Sequence, residues 1–172
     1  EDSVRESKLP YIPPTSANVY RRSLLAKILP MPEDTSITFN DYYIHLAAFH
    51  LGKGILLKER LTNYRIHGQN DSLHYSLHKR GHNYIYLAYW LRNKYPGIGP
   101  VTNNLLCQGS GFALASFSLS RKKLNLVTEY LRSDYQGNKH IFWLKVIRSM
   151  LRSYAYELNL IWRNFINNLH GK

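Results

Sequence analysis

The chain changes character at Asn70. Ahead of it the apolar runs are short and interrupted by Pro10, Pro13, Pro14, Pro30 and Pro32. Each proline lacks an N–H and blocks regular helix, so this stretch can hold only brief elements. Apolar residues recurring about every 3.6 positions predict short helices over residues 22–28 and 40–51, the second stopped by Gly52 and capped by Asn40. Short strands are expected over residues 17–20, 55–57 and 61–66. Beyond Asn70 the pattern predicts helices over residues 74–94, 104–119, 121–133 and 140–169. Pro96-Gly97-Ile98-Gly99-Pro100 is the strong break among them. The expected fold is therefore mixed α/β at the start and mainly α afterwards, in two regions, 1–71 and 72–172.

Charge narrows the partners. Lys and Arg number 23 against 11 Asp and Glu, a net charge of +12. Such a surplus suits anionic partners: nucleotide diphosphates, lipid headgroups or nucleic acid. No nucleic-acid motif accompanies it, and Tyr75, Tyr84, Tyr86, Tyr89 and Trp90 fall at the helical spacing of core residues rather than of a base-stacking platform. An apolar fraction of 44% argues against wholesale disorder. The single cysteine, Cys107, excludes an internal disulfide and fits a reducing compartment. No run of 18 apolar residues is present to span a bilayer.

Chemistry concentrates in two places. Asp41 lies in the first turn of a predicted helix, a favoured position for an acidic side chain. Tyr64-Arg65-Ile66-His67-Gly68-Gln69-Asn70 follows a short apolar strand and ends in a glycine turn. A carboxylate and a histidine held by short elements suit a base and a metal ligand sharing one site. A helix-start Asp and a strand-end His bonded to backbone are the plain alternatives. Arg65 suits phosphate or a surface carboxylate equally, and Asn70 suits phosphate or loop ordering. His74, His78 and His82 share a helix face, but no acidic or thiol partner stands near and Lys79 and Arg80 oppose a cation.

At these residues the chain resembles the catalytic half of family 2 glycosyltransferases, which have the GT-A fold. That family has an acidic motif opening a helix and a Tyr-Arg-x-His-x-x-Asn segment one strand later. Residues 13–23 resemble its acceptor-side loop, strand and helix start. Residues 29–33 resemble the loop before the catalytic carboxylate. The resemblance covers roughly residues 9–71. It departs at Ala17, where the family has Gly, and at Asn40, where an acidic residue is usual. It implies an inverting transferase moving a sugar from a nucleotide-diphosphate donor to a hydroxyl on a cell-surface glycan or its lipid-linked precursor. Asp41 is then the base, His67 a contact to a divalent cation (Mn or Mg) or the diphosphate, Arg65 and Asn70 diphosphate contacts, and Asn18 and Tyr20 acceptor contacts. The family's nucleotide-binding half, with its Asp-x-Asp motif, would precede residue 1, so the chain alone is expected to be inactive. The implied location is cytoplasmic, peripheral at the inner face of the cell membrane.

The last predicted helix allows a second reading. Leu144, Ile147, Leu151, Leu158, Trp162, Phe165 and Leu169 fall on one face, with Lys145, Arg148, Arg152 and Arg163 on one flank. Burial of this stripe against the protein's own helices is the expectation, because most amphipathic helices bury their apolar face. The alternative is a membrane interface with anionic lipid. In that case residues 71–172 form a non-catalytic basic module for a membrane surface or a protein partner.

Overall fold

The computed structural model describes residues 17–33, 38, 40–55, 57, 76–133, 135 and 137–170. Six α-helices follow in order among them: α1 (Arg22–Ile28), α2 (Asn40–Leu51), α3 (Leu77–Lys94), α4 (Gly99–Ala115), α5 (Arg121–Ser133) and α6 (Lys139–His170). A single 3-10 turn, Pro96–Ile98, joins α3 to α4.

Among the described residues no strand forms, which corrects the α/β half of the expected fold. Residues 18–20 belong to no regular element, and Ile55 and Leu57 are likewise outside any strand. Strands this short gain little without a neighbouring edge to pair with. The strand expected at residues 61–66 lies outside the described residues. The mainly helical reading stands.

Local signals explain the helix ends. Ser76 caps α3, accepting the Lys79 N–H at 3.3 Å. The helix α4 begins at Gly99, five residues earlier than expected. Pro100 sits in its first turn, where a missing N–H costs nothing and the fixed φ suits a helix. Asn40 is the first residue inside α2 rather than its cap. The α4–α5 turn closes on Phe117, at φ 51°. Ser118 N–H reaches back to Ala113 O at 2.7 Å and Phe117 N–H to Leu114 O at 3.0 Å, a Schellman arrangement with Phe where Gly is usual.

Helix α4 is the centre of the fold. Val101, Leu105, Leu106, Cys107 and Ala113 are all buried along it. Small residues let its neighbours come close. A Cβ on Gly109 would lie 2.8 Å from Tyr84 Cβ, and one on Gly81 would lie 2.7 Å from Ala113 N. The pairings 81 with 113 and 109 with 84 make α3 and α4 antiparallel. On its other side, a Cβ on Gly111 would lie 2.8 Å from Val146 O, and Ser149 donates to Gln108 O at 3.4 Å. Cys107 lies against Phe142 O. Cys107 with Phe142 and Gly111 with Val146 advance together along both chains, so α6 crosses α4 in the same general direction. Helix α5 is tied in by Tyr130, whose hydroxyl lies 2.7 Å from Thr102 Oγ1.

The front elements join the same core. Ile28 of α1 and Tyr43, Leu46 and Ala47 of α2 form one apolar cluster with Ile85, Leu87 and Leu91 of α3. Lys94, at the end of α3, donates to Ile28 O at 2.6 Å and Pro30 O at 2.9 Å, satisfying carbonyls at the end of α1.

The last helix contradicts its expected packing. Among its described side chains, Phe142, Val146 and Ser153 are buried. The described part of the predicted stripe faces solvent instead: Leu144 is 64% exposed, Leu151 58% and Leu158 66%, while the side chains of Phe165 and Leu169 lie outside the described ones. Gly111 opposite Val146 and Ser149 decides this, because the closest backbone approach is on the small-residue side of α6.

Candidate functional site

Asp41 occupies the first turn of α2, as expected, and is half-buried. Its carboxylate accepts the N–H of Tyr42 at 2.8 Å, so part of its hydrogen-bonding capacity serves the helix start. The helix is held in place from behind. Asn83 of α3, itself buried, accepts from both the backbone N–H of Thr38 (2.8 Å) and its hydroxyl (3.0 Å). The Asn83 amide in turn donates to Lys79 O at 2.9 Å. Tyr42 stacks on Tyr84 of α3 with ring centroids 5.8 Å apart and 12° between planes. The candidate carboxylate thus stands on a turn anchored to the helical body.

One turn along α2, His45 is buried. Its Nδ1 lies 2.6 Å from Asp41 O and 2.9 Å from the hydroxyl of Tyr20. A backbone carbonyl only accepts, so Nδ1 carries the proton. That proton is shared between the carbonyl and the Tyr20 oxygen, which leaves the Tyr20 hydroxyl proton for another acceptor. The rings of Tyr20 and His45 meet edge to face at 5.8 Å. Nε2 of His45 is buried and makes no hydrogen bond. Burial pushes the Tyr20 hydroxyl above the ordinary tyrosine range, and the Asp41 carboxylate adds to it. Burial raises Tyr42 likewise, with Tyr84 and then Asp41 contributing.

The structure therefore brings Asp41 and Tyr20 together. Asn18, half-buried, precedes Tyr20 by two residues in the segment leading into α1. Arg65, His67 and Asn70 lie outside the described residues. The sequence reading missed His45. The available signal was its spacing of four from Asp41, which puts both on one helix face. Among the described residues, no three His, Cys, Asp or Glu side chains gather as a metal site. His82 packs on Tyr86, ring centroids 4.6 Å apart.

Over 62 residues the chain is 44% identical to a protein of Nostoc sp. (strain PCC 7120) named as an uncharacterized glycosyltransferase. The match takes in 36% of this chain and 19% of that protein. Part of this chain is thus similar to part of a glycosyltransferase, and the chain spans about a fifth of that relative's length. No family model matches the chain, and no solved structure does.

Proposed function

We propose that this chain is the C-terminal portion of an inverting glycosyltransferase of the family 2 type. The similarity over 62 residues to a protein named as a glycosyltransferase carries the reading. The grouping of Asp41 with Tyr20 and His45 supports it, because a base must stand beside whatever orients the acceptor.

In this reading the Asp41 carboxylate takes the proton of an acceptor hydroxyl. The acceptor oxygen bonds to the anomeric carbon of the donor sugar. The bond from that carbon to the diphosphate breaks, and the nucleoside diphosphate leaves with inversion. Tyr20, whose hydroxyl proton is not taken up by His45, orients the acceptor together with Asn18. His45 fixes Tyr20 and the Asp41 turn relative to each other. Arg65 and Asn70 are proposed contacts to the diphosphate. His67 is a proposed ligand of a divalent cation, which when bound supplies charge neutralisation at the diphosphate. Arg65, His67 and Asn70 lie outside the described residues.

The experiment is nucleotide-sugar turnover by the complete parent enzyme and its Asp41→Asn variant. The amide keeps the shape and removes the proton acceptor, so kcat falls by about 10²- to 10⁴-fold. Turnover by the variant close to that of the unaltered enzyme removes Asp41 from the mechanism. Steady turnover by the 172-residue chain alone overturns the reading of it as a portion of the enzyme.

A further inference from the structure

The exposed face of α6 is both apolar and ordered by charge. Leu144, Ile147, Leu151, Leu158 and Trp162 are all exposed along it, over about 27 Å at the usual helical rise. At about 100° per residue they lie well away from the packed side carrying Phe142, Val146 and Ser153. Lys145, Arg148 and Arg152, all exposed, form a band along one flank of the stripe. Glu157 is the helix's one acidic residue, and it falls on the packed side, half-buried. Trp143 and Trp162 stand at the two rims of the stripe, both exposed. From Ala155 onward no described side chain is buried.

We propose that α6 seats this protein on an anionic lipid surface, lying in the plane of the membrane. The stripe enters the boundary between headgroups and acyl chains, and Lys145, Arg148 and Arg152 meet lipid phosphates. Tryptophans at the rims suit that boundary, where an apolar ring with one polar N–H is favoured. Charge complementarity selects the occupant. A second copy docking on this face would bring two basic bands together, with no carboxylate on the stripe to pair them. A lipid surface supplies the missing negative charge. The helix lies on the membrane rather than crossing it: no helix among the described residues is long and apolar enough to span. The packed side points away from the stripe, so the helical body stays in water. The proposal does not depend on the glycosyltransferase reading.

Flotation of the 172-residue chain tests it. The probe is vesicles of equal parts phosphatidylcholine and phosphatidylglycerol, compared with pure phosphatidylcholine. The chain is expected to float with the mixed vesicles, to bind pure phosphatidylcholine far less, and to lose binding as salt rises. Two variants divide the contributions. Leu151→Glu/Leu158→Glu places carboxylates on the stripe, and Arg148→Glu/Arg152→Glu reverses the flank. Each is expected to weaken partitioning about tenfold or more, with helicity unchanged because all four positions are exposed. Should a variant unfold, brominated lipid is the second measurement: it quenches tryptophan emission in the unaltered chain and less in Trp162→Phe. The proposal is overturned if the chain stays unbound on mixed vesicles at low salt. It is also overturned if both folded variants float like the original, or if brominated lipid leaves emission unchanged. A concentration-dependent dimer that Leu151→Glu/Leu158→Glu abolishes would assign the face to a second copy instead.

Discussion

The hydroxyl of Tyr20 lies 2.9 Å from Nδ1 of His45, and the same nitrogen lies 2.6 Å from the backbone carbonyl of Asp41. One buried ring therefore couples the segment before α1 to the helical turn that carries the candidate base. Tyr20→Phe removes one hydrogen bond and keeps the ring, so it should cost about 0.5–1.5 kcal/mol. His45→Ala also opens a cavity and should cost more. Because the two side chains share a contact, their effects should not add. A double-mutant cycle by urea unfolding measures this. Additive losses would mean that the pair is not coupled.

Asn83 makes a comparable link at the other side of the site. Its side chain takes two hydrogen bonds from Thr38 and gives one to Lys79 O. Asn83→Ala should cost about 1–3 kcal/mol through the lost bonds. The effect should be local as well as global. Amides in the first turn of α2, at Tyr42 and Tyr43, should exchange hydrogen faster than those in the middle of α4. Uniform acceleration along the chain would place Asn83 in general packing rather than in holding α2.

Gly111 is the closest approach between α4 and α6. A Cβ there would fall 2.5 Å from Ser149 Cβ and 2.8 Å from Val146 O. Alanine is the better helix former by about 1 kcal/mol. The backbone carbonyl cannot step aside without moving α6, so overpacking of about 1–3 kcal/mol should outweigh that gain. Gly111→Ala should therefore lower the thermal midpoint. A raised midpoint would show that α6 is free to shift.

Much of this architecture was legible because prolines and apolar periodicity mark helix limits. Arg22–Ile28 is closed by Pro30, Asn40–Leu51 by Gly52, and Arg121–Ser133 shows through its apolar spacing alone. Pro100 misled, because a proline reads as a breaker until its place in the first turn is known. The stripe on α6 was visible, but periodicity only says that a face is apolar. Which face is covered depends on Gly111, Ser149 and Ser153, small residues that allow close backbone approach without looking like a core. The strands expected at 17–20 and 55–57 do not form among the described residues, for want of a paired edge. At the candidate site Asp41 could be placed from its helix start. For His45 the sequence offered only its spacing of four from Asp41; its link to Tyr20, 25 residues earlier in the chain, was not legible.

Phe117 offers a test of backbone strain. Its φ of 51° belongs to the left-handed region, and its side chain is 91% exposed. A side chain there costs about 1–2 kcal/mol. Phe117→Gly relieves that cost, loses almost no packing and gives back about 0.5–1 kcal/mol through a freer unfolded chain. A small net stabilisation is expected. Phe117→Val adds β-branching and should destabilise. Thermal unfolding orders the three, with Gly first and Val last. A Gly variant less stable than Val would mean that the Phe ring makes contacts in excess of its exposure.

Alkaline pH should unfold this protein before most chains of its size. Burial raises the hydroxyls of Tyr42, Tyr43, Tyr84 and Tyr95 above the ordinary tyrosine value. Burial also pushes the Cys107 thiol up to about 12, with Lys145 pulling weakly the other way. The sign follows from which state releases protons first. Below the unfolded values, about 8.5 for the thiol and 10 for tyrosine, both states are protonated and the stabilisation is complete. As pH rises past them, the unfolded chain ionises while the folded one resists, so stability is lost towards the folded values. Lys123 opposes this, since burial lowers its ammonium and rising pH relieves the penalty. It is one group against the several tyrosines and the thiol that burial raises. The buried tyrosines should ionise together with loss of helix, and Cys107 should become reactive to thiol reagents in the same step. Circular dichroism, tyrosinate absorbance and thiol labelling followed on one pH series test this. A single tyrosinate transition near the ordinary value, with the helices still formed, would show that these side chains are more open to water than their packing implies.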